Sequence, residues 1–179
     1  MVSLAALSSW DGATCLRVNA INRRRAGAAL FALASRLGDG AVWYALMVAL
    51  PLCCGREGLR EALLMAVCGG AATLAYRSIK RTTRRPRPGE VYDSLALTVA
   101  PLDRFSFPSG HTLHAVSFTI LAWYFHPVLL WVLAPFAGLV ALSRIVLGLH
   151  YPSDVAAGAA LGSLFALATI SLGRLFPPG

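Results

Sequence analysis

Hydrophobic and polar positions divide the chain into long apolar runs separated by short clusters of charge. Ala41 to Cys54, Ala62 to Ile79, Thr112 to Phe125, Pro127 to Leu142 and Val155 to Leu172 carry one formal charge between them, Arg77. Such continuous runs predict helices at home in a bilayer. Punctuation falls between them. Leu37-Gly38-Asp39-Gly40 is turn chemistry, Gly55 to Glu61 reads as a compact charged loop, and His126-Pro127 ends one run and starts the next. Trp43 and Tyr44 have the placement of interfacial aromatics, Gly69-Gly70 suits close helix approach, Pro135 predicts a kink, and Pro152 suits a first helical turn. Met1 to Leu37 is different: apolar residues alternate with Trp10, Asp11, Arg17, Arg23-Arg24-Arg25 and Arg36. It predicts two short amphipathic helices at the membrane interface, broken near Asn22 to Arg25, and its charge order is wrong for a signal peptide. The expected fold is all-α, a polytopic membrane helix bundle of about five to six helices. It forms a single domain over residues 1–179, with an interfacial N-terminal helical segment (1–37) and a helical core (38–179).

Composition supports the membrane reading. Of 179 residues, 57% are hydrophobic and 13% charged, against about 25% charged in an ordinary soluble domain. The net charge of +8 then favours anionic lipid or an anionic substrate over nucleic acid as the partner. Cys15, Cys53, Cys54 and Cys68 have neither zinc-ligand spacing nor a disulfide framework and read as free thiols packed as small hydrophobes.

The polar clusters carry the candidate chemistry. Ser143 to Asp154 sets Arg144, His150 and Asp154 into an apolar background, where such groups are costly and usually functional. Arg144 is a permanent cation with a planar donor fork, His150 can be nucleophile or base, and Asp154 lies one helical turn beyond it, where it can orient the ring. The same residues also fit a structural Arg144–Asp154 ion pair with His150 as an interfacial cap. Lys80 to Pro88 places five cations in eight residues on backbone that its prolines make irregular; a topology-determining basic loop is the alternative. In Phe107-Pro108-Ser109-Gly110-His111, Ser109 and the amides of Gly110 and His111 fall at a helix N-terminus, which favours an anion, although Ser109 also fits a plain N-cap. His114, one turn further on, reads as a packing residue.

If the five apolar runs alternate in direction, Lys80 to Arg87, Ser109 to His111, Ser143-Arg144 and His150 to Asp154 all emerge on one side. Cations, a helix N-terminus and two histidines converging on one surface specify a site for a multiply charged oxyanion, with phosphate the obvious candidate.

The set Lys80, six residues, Arg87-Pro88; Pro108-Ser109-Gly110-His111; and Ser143-Arg144, five residues, His150, three residues, Asp154 resembles the three-part signature of the type 2 phosphatidic acid phosphatase family. That signature is shared with the vanadium haloperoxidases. It prefers Arg87-Pro88 to the neighbouring Arg85-Pro86, and residues 1–37 depart from a full six-span version. The resemblance implies that His150 attacks phosphorus to give a phosphohistidine while Asp154 holds the ring. Lys80, Arg87, Ser109, Gly110 and Arg144 would bind phosphoryl oxygens, and His111 would protonate the leaving oxygen and later activate water. No metal and no cofactor is expected, since fixed cations already surround the phosphoryl group and the sequence has no carboxylate cluster for an ion.

The expected activity is hydrolysis of a membrane lipid phosphate: an isoprenoid diphosphate, phosphatidic acid or phosphatidylglycerophosphate, with the isoprenoid carrier slightly favoured by the short connections. Transfer of the phosphoryl group to another acceptor, or non-enzymatic lipid or anion transport, are the competing functions. By the resemblance, the expected location is a bacterial inner membrane with the site facing the periplasm or exterior.

Overall fold

The longest helical stretch does not run straight. In the computed structural model, which describes residues 4–175, α3 (Val42–Thr83) is broken at Gly55, where φ is 58° and ψ −130°. Its two limbs fold back on each other. Trp43 and Gly69 both approach Phe118, whereas a straight helix would hold them about 39 Å apart. The compact loop expected over Gly55 to Glu61 is thus a one-residue reversal. A positive-φ glycine makes the turn, and Gly58 passes so close to the Leu50 carbonyl that a β-carbon would lie 2.0 Å from its oxygen. Glu61 meets His126 at 2.7 Å across the far end of the bundle.

The other helices are α1 (Leu4–Val18), α2 (Arg25–Arg36), α4 (Pro88–Val91), α5 (Gly110–Phe125), α6 (Leu130–Val146) and α7 (Pro152–Leu175). The described residues contain no strand, in keeping with the all-α expectation. The first three residues of the expected N-terminal segment and the last four of the expected domain lie outside the described residues. Arg25–Val91, Pro127–Val146 and Pro152–Leu175 are long and apolar enough to cross a membrane. α5 is shorter and sits at the centre, buried on most of its circumference through residues such as Thr112, Leu113, Ala115, Phe118 and Leu121. A helix enclosed by its neighbours shows no amphipathic stripe. Leu52, Leu74, Trp131 and Val132 point outward from the bundle, each more than two-thirds exposed, as lipid-facing side chains do.

Small residues set the tightest contact. α7 crosses α5 where Gly158 and Gly162 face the carbonyls of Ser109 and Leu113, with room for hydrogen only. Around this crossing, Trp43, Met65, Cys68, Phe118, Leu121, Val140 and Ala166 form the main core. Trp43 lies tilted against Phe118 and Phe136, with ring centroids 5.5 and 5.6 Å away. The sequence pairs Trp43 with Tyr44 as interfacial, but neighbouring helical positions diverge by about 100°, so Trp43 is buried and Tyr44 exposed. α6 runs through Pro135 without a break in helical geometry. All four cysteines are free thiols; Cys15 and Cys68 are buried, Cys53 and Cys54 exposed.

The N-terminal segment breaks at Arg24, whose backbone is extended, within the expected interval. It is anchored as well as amphipathic. α2 buries Phe31, Ala34 and Ser35, with Phe31 packed on Val146, Leu147 and Leu149. Asn19 bonds the Val146 and Ala96 carbonyls at 2.8 and 3.0 Å. This ties α1 and α2 to the end of the bundle where the polar clusters lie.

Candidate active site

The polar clusters gather at that one end because of how each helix stops or starts. α3 ends where Arg84 turns left-handed (φ 48°) and its amide bonds the Lys80 carbonyl, closing the helix with Lys80 in its last turn. Pro86 then keeps the helix from resuming at once, and Pro88 opens the short α4. α6 ends in the turn Leu147 to Tyr151, where Gly148 takes φ 70° and the amides of Leu149 and His150 both donate to the Arg144 carbonyl at 3.0 Å. The backbone of Arg144 thereby fixes that of His150. Asp154 then closes the start of α7: its Oδ2 accepts the Tyr151 amide at 2.8 Å, as the acidic partner of a capping box does. Its carbonyl accepts the amide of Ser109 at 3.1 Å, drawing the start of α5 onto the start of α7.

A cavity of about 980 Å³ opens at this end, and six of the eight expected residues line it: Lys80, Arg87, Gly110, His111, Arg144 and His150. Asp154 stands behind His150, its Oδ2 3.7 Å from Nδ1. Ser109 is fully buried, with its hydroxyl 3.0 Å from that of Thr112, so of the expected pair at this helix start only Gly110 reaches the wall. Arg87 and His150 meet directly, Nη1 to Nε2 at 3.3 Å. His114 stacks on Phe118 with centroids 5.5 Å apart and faces the Thr73 hydroxyl at 3.2 Å, the packing position expected for it, along the cavity wall.

Three buried cations share this wall, which is costly unless anions or donors' partners compensate. Asp103, half-way along the connection before α5, bridges two of them: Lys80 Nζ reaches both its carboxylate oxygens at 2.8 Å and Arg87 Nη2 reaches Oδ1 at 2.5 Å. Burial opposes the charge on Asp103, but the bonds and charge of Lys80 and then Arg87 prevail and hold its carboxyl below the usual 3.8. Arg144 has less. One guanidinium nitrogen donates to the Ser35 hydroxyl, and its Nε is buried without a hydrogen bond, as is Nδ1 of His150. Burial, reinforced by Arg144, Arg87 and Lys80, pushes the His150 imidazole well below its ordinary 6.5, so the free ring is neutral.

Sequence reasoning assigned no role to Asp103, Asp39, Ser35 or Asp11. Asp39 lies 3.3 Å from His111 Nε2, in the turn where the sequence showed only a break. Asp11 is the one acidic residue before Asp39, and that isolation among arginines was the available signal. Arg85, the rejected alternative to Arg87, is also engaged: its Nη1 bonds Asp154 Oδ1 at 2.6 Å. On the non-helical backbone between α3 and α4, residues two apart with prolines between them serve different neighbours. Arg87 faces the cavity and Arg85 the rear of Asp154. Among the described residues, no group of three or more His, Cys, Asp or Glu is placed to hold a metal ion.

Apolar helices of spanning length around a recessed cationic pocket define an all-helical integral membrane protein. The chain belongs to the PAP2 superfamily, whose sequence profile matches residues 61–176. It is 37% identical over 112 residues to decaprenylphosphoryl-5-phosphoribose phosphatase of Mycobacterium tuberculosis, and the match covers 60% of each chain. Its fold superposes on the transmembrane PAP2-type phosphatidylglycerolphosphate phosphatase of Bacillus subtilis with a TM-score of 0.82 and 25% identity, covering 98% of this chain and 90% of that one. Aquifex aeolicus LpxE gives a TM-score of 0.75 at 25% identity, covering 86% and 92%.

Proposed function

We propose that the protein is a lipid phosphate phosphatase working through a phosphohistidine. The observation that carries this reading is the meeting of Lys80, Arg87, Arg144, His111 and His150 on one cavity whose wall also has an apolar, glycine-rich stretch formed by Trp43, Met47, Ala66, Gly69, Gly70 and Phe118. A phosphoryl group fits the first set and a lipid tail the second.

In the proposed reaction, Nε2 of neutral His150 attacks phosphorus and the bond to the leaving oxygen breaks. Asp154 steadies the imidazolium that forms, and apo separations such as the 3.7 Å seen here tighten in the reacting complex. Lys80, Arg87, Arg144 and the Gly110 amide hold the phosphoryl oxygens and neutralise charge in the transition state. Ser109 contributes through its placement of that helix start. His111, whose Nε2 lies 3.3 Å from Asp39 Oδ1, gives its proton to the leaving oxygen and then takes a proton from the water that cleaves the N–P bond. The fixed cations do the work a divalent ion would do, so the reaction is metal-independent.

The substrate is a membrane lipid bearing a phosphomonoester or diphosphate. The similarity to a decaprenyl-linked phosphatase supports a polyprenyl carrier over a diacylglycerol. Location in a bacterial inner membrane, with the pocket towards the periplasm or exterior, follows from the same family resemblance.

Phosphate release by purified protein in detergent, from a panel of lipid phosphates with EDTA present, tests the reading. Wild type should release phosphate and His150→Ala should not. Brief incubation with a labelled lipid phosphate should leave acid-labile, base-stable label on the protein. EDTA-sensitive release, a fully active His150→Ala, or label appearing on another lipid instead of in water would each overturn part of it.

A further inference from the structure

Arg85 is not among the residues lining the cavity, yet its guanidinium makes three side-chain hydrogen bonds at this end of the molecule. Its Nη1 donates to Asp154 Oδ1 at 2.6 Å and to the Ser153 hydroxyl at 2.7 Å. Its Nη2 donates to Asp11 Oδ2 at 2.7 Å. The guanidinium also lies over the Tyr151 ring, 4.0 Å from its centroid. Asp11 completes the assembly from α1: Oδ1 accepts the Ser153 amide at 3.0 Å and Oδ2 accepts the Ser153 hydroxyl. Both Asp11 and Asp154 are fully buried. One turn further along α1, the Cys15 thiol donates to the His150 carbonyl at 3.6 Å.

Two buried carboxylates sharing one cation is an expensive arrangement to keep for packing alone. Its geometry has a direction. Oδ2 of Asp154 is the oxygen nearer His150, and Arg85 holds the opposite one, so the carboxylate cannot rotate away without breaking the Arg85 bond, and the guanidinium charge beside it favours the ionised form. We propose that Arg85, clamped by Asp11, is a positioning residue that keeps Asp154 charged and turned towards His150, making the N-terminal helix part of the catalytic assembly. The inference rests on the reading of His150 as nucleophile. It explains why α1 is tied so closely to the α6–α7 turn, and it separates the two neighbouring arginines by task. Arg87 handles the phosphoryl group and Arg85 the residue behind the nucleophile.

The test uses the full chain in detergent with one lipid phosphate and compares Arg85→Gln, Arg85→Lys, Asp11→Asn and His150→Ala. A group acting through another at an active site typically costs about 10–100-fold when removed. Arg85→Gln should therefore lower kcat by about that factor, while KM and the inhibition constant for vanadate stay within about twofold. Arg85→Lys should recover part of kcat, and Asp11→Asn should fall between wild type and Arg85→Gln. If Arg85→Gln does not fold, the kcat and vanadate constants of Asp11→Asn and Arg85→Lys decide alone. A loss that appears in KM and vanadate affinity would make Arg85 a phosphate ligand and overturn the proposal. Wild-type kcat in Arg85→Gln, or in both remaining variants, beside an inactive His150→Ala would overturn the clamp alone. Activity surviving in His150→Ala would instead overturn the reading of the site beneath it.

Discussion

Nη1 of Arg87 lies 3.3 Å from Nε2 of His150. A guanidinium only donates, so Nε2 must accept and the ring proton must sit on Nδ1. The contact thus selects the tautomer in which Nε2 carries a lone pair and Nδ1–H points towards Asp154, the form a nucleophilic imidazole needs. Arg87 is itself held by the carbonyls of Asp103 and Leu149 at 2.9 and 2.6 Å, a fork that an ammonium cannot reproduce. Arg87→Lys should keep the charge and lose the geometry. We expect kcat to fall by about 10²–10³, the usual cost of one transition-state donor, with a melting temperature in detergent close to that of wild type.

Asp103 occupies both Lys80 and Arg87 through a side chain that remains 41% exposed, so it compensates the cations of the free protein and competes with an incoming anion. Asp103→Asn should lower the melting temperature of the free protein and bind vanadate about two- to fivefold more tightly, the scale of a partly exposed charge pair. Thermal shifts measured with and without vanadate check both effects. A variant whose vanadate response is no larger than that of wild type would show that Asp103 does not compete.

His150 gives a pH signature. Its folded pKa lies well below 6.5 because burial disfavours the cation, so below about pH 6.5 the unfolded chain takes up a proton that the native protein refuses. The stability associated with the neutral ring is complete above that pH and declines as pH falls. Melting temperatures of wild type should therefore drop between pH 7 and 5 more steeply than those of His150→Asn. Turnover should show no loss of nucleophile over the same interval, since the ring stays neutral.

The apolar wall of the cavity offers a test of the lipid. Gly70 lines it, and a β-carbon there would meet nothing within 4 Å, so a larger side chain enters open space without strain. At Gly69, by contrast, a β-carbon would press on Phe118 at 2.8 Å. Gly70→Leu should raise KM for a long-chain lipid phosphate about tenfold more than for a short soluble phosphate ester, in line with the discrimination a filled apolar pocket provides. Equal effects on both substrates would place the tail elsewhere.

Much of this protein was legible along the chain. Five apolar runs and their alternation require the clusters around Lys80, Ser109, Arg144 and His150 to emerge at one end, and the structure brings them there. Where the reading failed, one residue had stood for a whole segment. Gly55 reverses the chain alone, because a positive φ needs only the residue that lacks a β-carbon. Trp43 turned inward because helical phase, which a run of uniformly apolar residues does not reveal, decides which aromatic meets the core.

Hydrophobic continuity and the spacing of histidine, aspartate and arginine depend on local sequence, so the sequence by itself determined the helical membrane class, the family and the candidate nucleophile with its acidic neighbour. Only the tertiary structure decided which carboxylates answer which cations. Asp103 with Lys80 and Arg87, Asp39 with His111, and Asp11 with Arg85 are 16 to 74 residues apart. Charge pairing in a buried site is set by distance in space, and no periodicity along the chain records it.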